Sequence, residues 1–115
     1  MNDESLKIIC TEGEGQKIEF KAKLAGLAKE MVAFANASGG SLFLGISDDG
    51  QIIGLEDSNR MRSQVQDIAN GCDPRLPIRL VSHGQILEIV VPEGTDKPYR
   101  CNEGFFLRIG PNSQQ

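Results

Sequence analysis

The stretch Ser41-Leu42-Phe43-Leu44-Gly45-Ile46 constrains this chain more than any other. It is apolar at both odd and even positions, so a strand built from it has no face to give to water. A helical stripe precedes it: Leu24, Leu27, Ala28, Met31, Val32 and Ala35, with Lys29 and Glu30 off the stripe. Between the two, Asn36-Ala37-Ser38-Gly39-Gly40 supplies a left-handed helix stop. A helix feeding a strand that must be covered on both sides demands a layered domain and excludes a half-wet sheet. At 115 residues the chain can bury such a core, since a domain of this size hides roughly 65% of its unfolded surface.

The rest of the chain alternates between the two periods. Leu6 to Cys10 is a short apolar segment that reads as a strand, broken by Glu12-Gly13-Glu14-Gly15. Lys17 to Lys21 alternates strictly, Ile18 and Phe20 against Lys17, Glu19 and Lys21. Asp49-Gly50 is a hairpin signal with Gln51 to Leu55 as the antiparallel return strand. Asp57 or Ser58 caps a second helix carried by Met61, Val65, Ile68 and Ala69, and Asn70-Gly71, Pro74 and Pro77 end it. Ile78 to Val81 and Ile86 to Val91 flank Ser82-His83-Gly84-Gln85 as a hairpin. Tyr99 to Cys101 and Phe105 to Ile109 flank Asn102-Glu103-Gly104 as another. The expectation is an α+β fold, two helices with a mixed, mostly antiparallel sheet of six to eight strands, in a single domain over residues 1–115.

Charge and motif content exclude several functions. Twelve basic against sixteen acidic residues give a net charge of −4, which excludes coating nucleic acid by bulk charge. The acidic start, Met-Asn-Asp-Glu, has no apolar core of a secretory signal, and no apolar run approaches the ~20 residues of a membrane span. The expected location is the cytoplasm, with Cys10, Cys72 and Cys101 as reduced thiols, none in a metal-ligand spacing. Gly13-Glu14-Gly15-Gln16-Lys17 lacks the phosphate-loop spacing, and a single His83 with no nucleophile elbow argues against a serine hydrolase.

One polar constellation stands out. Glu19 and Lys21 share a strand face, Glu14 lies just before them, and Asp48 lies just past the apolar strand. Carboxylates of this kind hold Mg²⁺ or Mn²⁺, and a neighbouring lysine stabilises charge growing on a phosphate. The alternative is a solvated strand face and an ordinary turn. Arg60, Arg62, Arg75 and Arg79 stand against Asp67 and Asp73 between Ser58 and Leu80. Lys97, Arg100 and Arg108 sit near Tyr99, Phe105 and Phe106, a pattern that can stack bases and meet phosphates unless the rings are core and the arginines solvent-facing.

Taken in order, Ile18-Glu19-Phe20-Lys21, Ala33-Phe34-Ala35-Asn36-Ala37-Ser38-Gly39-Gly40, Leu44-Gly45-Ile46-Ser47-Asp48-Asp49-Gly50, Ile53-Gly54-Leu55, Lys97-Pro98-Tyr99 and Phe106-Leu107-Arg108-Ile109-Gly110 resemble the Schlafen/AlbA-type DNA-binding domain, also called divergent AAA. The resemblance covers about residues 12 to 112. It implies the N-terminal part of a longer transcriptional regulator, binding DNA through residues such as Arg60, Arg62, Arg75, Arg100 and Arg108. In the animal relatives two similar lobes clamp tRNA-like RNA and three carboxylates cut it with a divalent metal. Those positions fall here on Glu14, Glu19 and Asp48, with Lys21 beside them. The zinc ligands of the animal proteins have no counterpart in this chain, and a homodimer would be needed for the second lobe. Three functions therefore stand side by side: a nucleic-acid-binding module without catalysis, a metal-dependent ribonuclease, and a protein-interaction or oligomerisation module.

Overall fold

The computed structural model describes residues 3–56 and 58–115, without side-chain surroundings for residues 3–5 and 58. The elements are α1 (Asp3–Glu12), β1 (Ile18–Lys21), α2 (Leu27–Asn36), β2 (Gly40–Leu44), α3 (Ser58–Asn70), β3 (Arg79–His83), β4 (Ile86–Val91), β5 (Arg100–Cys101), β6 (Gly104–Phe105), β7 (Leu107–Ile109) and β8 (Asn112–Gln114). The main sheet has the order β1-β2-β4-β3, and β5–β6 and β7–β8 form two separate ribbons. β1 runs parallel to β2 with Lys21 opposite Leu44, which requires the α2 crossover between them; the other neighbours are antiparallel. The α+β expectation holds, with three helices and a mixed, mostly antiparallel set of sheets.

β2 is central and closed on both faces, as its apolar run demands. Leu42 and Leu44 join Met31, Phe34, Val65 and Ile89 in the larger core beneath α2 and α3. Phe43 points the other way, into a smaller cluster with Phe20, Ile46, Ile86 and Leu6 of α1. Gly39 makes the α2-to-β2 turn at φ +81°, where a Cβ would lie 2.8 Å from both Val91 O and Glu93 N.

Four expectations need correction. Leu6 to Cys10 is helical, because Leu6, Ile9 and Cys10 recur at helical spacing and bury, while Ile8 stays 54% exposed. Gly13, at φ +84°, closes that helix with its N–H on Ile9 O at 2.9 Å. Gln51 to Leu55 is not a return strand: β1 and β4 already occupy both sides of β2, and the segment meets the end of β2 through an isolated Ile46–Ile52 bridge and the Ile53 N–H on Gly45 O at 2.7 Å. His83 is the last residue of β3 rather than part of a turn, and its Nε2 lies 2.7 Å from Glu88 Oε1. The last hairpin divides in two, because β7 pairs not with the strand before it but with β8 (Asn112–Gln114) after it. The cap expected at Asp57 or Ser58 lies outside the described residues.

Candidate metal centre

Parallel pairing of β1 with β2 brings the three carboxylates together. Glu14, in the loop after α1, folds back so that its Oε2 accepts the Phe20 N–H at 3.0 Å. Glu19 projects from β1 and Asp48 from the exposed turn beyond β2. One carboxylate oxygen from each of the three lies within 4.8 Å of the others. A hard cation with oxygen ligands at about 2.0–2.6 Å fits between donors so spaced. The turn is ordered by Ser47, whose hydroxyl donates to Asp49 and accepts the Gln51 N–H at 3.1 Å. That hydrogen bond holds the Asp49 carboxyl below its ordinary value.

Behind Glu19 lies Arg108, 2% exposed. Its Nη1 donates to Glu19 Oε1 at 2.7 Å, to Glu30 Oε2 at 3.0 Å and to Ser113 Oγ at 3.2 Å. Its Nη2 reaches Gly15 O at 2.9 Å and Ile18 O at 3.0 Å, and its guanidinium lies 4.7 Å from the Phe34 ring centre. Gln16 ties the same loop to the last ribbon, donating to Arg108 O at 3.1 Å and accepting the Gly110 N–H at 2.7 Å. Burial above all, then the hydrogen bond with Glu14, pushes the Glu19 carboxyl up to about 8 against the pull of Arg108.

Arg108 is thus neither solvent-facing nor a phosphate contact, since its donors are committed inside the fold. Glu30 is also corrected: it is 9% exposed and on the buried side of α2. Its position three residues after Leu27 and four before Phe34 was the available signal. Lys21 forms no ion pair with the three acids among the described residues, and its Nζ lies 3.5 Å from where a Cβ would stand on Gly26. The other arginines are spread over the surface. Arg60 and Arg62 lie on α3, where Arg62 donates to Ser82 Oγ at 2.9 Å. Arg75 is exposed in the loop after α3, and Arg100 on β5 pairs with Asp73 at 3.2 Å. Tyr99 is 2% exposed and Phe106 packs on the core, so Phe105, 49% exposed, is the ring of that group left open for stacking.

The family model described as Schlafen, AlbA_2 matches residues 14–115. No curated protein matches the chain significantly. Among solved structures, the crystal structure of the DIP2311 protein from Corynebacterium diphtheriae superposes with a TM-score of 0.64 at 21% identity. The match covers 86% of this chain and 22% of that one. It speaks for the fold, and this chain corresponds to about a fifth of that protein's length.

Proposed function

Because the chain belongs to the Schlafen AlbA_2 family, we propose that it is a nucleic-acid-handling domain whose acidic cluster holds a divalent cation against an RNA phosphate. The convergence of Glu14, Glu19 and Asp48 within 4.8 Å carries the reading. Three carboxylate oxygens suit Mg²⁺ or Mn²⁺ better than softer metals. A bound cation would supply Lewis-acid charge at a phosphate oxygen. The chain's own residues hold the site: the Phe20 N–H fixes Glu14, Arg108 fixes Glu19 through Oε1, and the Ser47 turn presents Asp48 to solvent. Lys21, on the same strand face as Glu19, provides positive charge for the phosphate. The proposed activity is metal-dependent cleavage of structured RNA.

Asp48→Asn is the discriminating variant, because Asp48 is exposed and its loss leaves the buried arginine pairing intact. Folded tRNA incubated with Mn²⁺ should be cut by the wild-type chain and left whole by Asp48→Asn or by wild type in chelator. Cutting that persists in Asp48→Asn would remove the assignment. Two observations favour a second reading, a DNA-binding module of a transcriptional regulator: Glu19 is engaged by Arg108 and the Lys21 amine lies beside Gly26. Duplex DNA retained in a gel shift, weakened by Arg75→Ala and Arg100→Ala, with neither nucleic acid cut, would select that reading.

A further inference from the structure

Asp73 and Arg100 form an isolated antiparallel bridge between the loop after α3 and β5. They exchange both backbone hydrogen bonds, Asp73 N–H to Arg100 O at 2.9 Å and Arg100 N–H to Asp73 O at 2.8 Å. Cys72 precedes Asp73 and Cys101 follows Arg100, so in the antiparallel bridge the two cysteines flank it at the same end. Side chains alternate across a ladder. The Asp73 and Arg100 side chains pair at 3.2 Å in solvent, whereas Cys72 is buried and Cys101 half-buried. Both cysteines line one cavity, together with Ala28 and Ile68. Two cysteines that flank one bridge and line one cavity are placed to be joined by a disulfide, which requires Cα atoms about 4.4–6.8 Å apart.

We propose that Cys72 and Cys101 are a redox modification site, closing to a reversible disulfide by exchange with a small-molecule disulfide. The two thiols are unequal. Cys72 is buried, with Sγ 3.4 Å from Ile68 O, whereas Cys101 is half-buried. Burial first, and Cys101 second, pushes the Cys72 thiol up to about 11. Cys101 is therefore the thiol that meets the oxidant. Its thiolate attacks one sulfur of the small disulfide, that S–S bond breaks, and one small thiol leaves. Cys72 then gives its proton to solvent and attacks the Cys101 sulfur of the mixed disulfide, and the second small thiol leaves. Two protein thiols and one small disulfide become one protein disulfide and two small thiols, so the protein is oxidised and the reagent reduced. Cys10 stands apart, packed with Leu6 and Phe20 on the opposite face of the sheet.

The test treats the wild-type chain with oxidised glutathione, then alkylates it in denaturant. Of three cysteines, all should label before oxidation and only Cys10 afterwards. The mass should fall by two hydrogens, and a peptide pair should link Cys72 to Cys101. The oxidised protein should melt at a higher temperature than the reduced one, and dithiothreitol should reverse both changes. Cys101→Ser should remain a full set of free thiols under the same treatment. Three labelled thiols after oxidation, a glutathione adduct that stays on Cys101, a bridge that uses Cys10, or a disulfide between chains would each overturn the proposal.

Discussion

Arg108 has Glu19 at 2.7 Å and Glu30 at 3.0 Å and is itself 2% exposed. Its removal strips Glu19 and Glu30, both largely buried, of the cation they share, and leaves the Glu30 carboxylate stranded. Arg108→Met should therefore destabilise the fold by about 3–5 kcal/mol, read as a lower urea midpoint. Adding Glu30→Gln should recover part of the loss, because it removes one stranded charge. Glu19 gives the pH dependence. Its folded value of about 8 lies above its ordinary 4.5, so between those values the folded chain keeps a proton that the unfolded chain has lost. Glu19's contribution to stability is complete below about pH 4.5 and is lost as pH rises through about 8. Glu19→Gln should flatten that slope in urea midpoints measured across the window, and an unchanged slope would place the proton elsewhere. The alternation of β1 showed Glu19 in the sequence, and the spacing of α2 held the signal for Glu30. The burial of Arg108 was not legible, because its partners Glu30, Glu19 and Gly15 stand 78, 89 and 93 residues away.

Whether an element could be read depended on whether its neighbours were local. β2 was legible because the unbroken apolar run Leu42-Phe43-Leu44 leaves one solution, a strand buried on both faces. The β3–β4 hairpin was legible because its turn lies between two runs of β-branched and aliphatic residues. α1 was misread because five apolar-rich residues fit either period, and its packing against Phe20 and Phe43 decides the matter across the sheet. The segment after Asp49-Gly50 was misread for a topological reason: β4, over thirty residues later, takes the place beside β2 that a local hairpin would fill. The α2-to-β2 turn carries a sharp prediction at this scale. Gly39→Ala combines a left-handed backbone with a Cβ 2.8 Å from two backbone atoms that cannot swing aside. It should cost at least about 1–3 kcal/mol, read as a lower thermal midpoint. A change within a few tenths of a kcal/mol would mean that the β2 entry relaxes freely.

For the molecule as a whole, the question is how a chain of net charge −4 could meet a polyanion. Arg108, the cation nearest the acidic cluster, is buried against Glu19 and Glu30, so it neutralises the interior and offers nothing to a phosphate. Arg100 is partly offset by Asp73 on the surface. Without a cation, then, the cluster repels the ligand that the family membership points to. A bound divalent ion would offset most of the cluster's charge and offer a phosphate oxygen a place to coordinate. A ligand that binds the folded chain alone stabilises it by about 2.7 kcal/mol at a hundredfold excess over its dissociation constant. Millimolar Mg²⁺ or Mn²⁺ should accordingly raise the melting temperature of the wild-type chain. The same ions should leave Asp48→Asn nearly unmoved, since that variant loses a ligand without disturbing Arg108. Monovalent salt at equal ionic strength serves as the control, because general screening would shift both proteins alike. An equal rise in both proteins would mean that the ions act through screening, and the cluster would then be an acidic surface feature rather than a cation site.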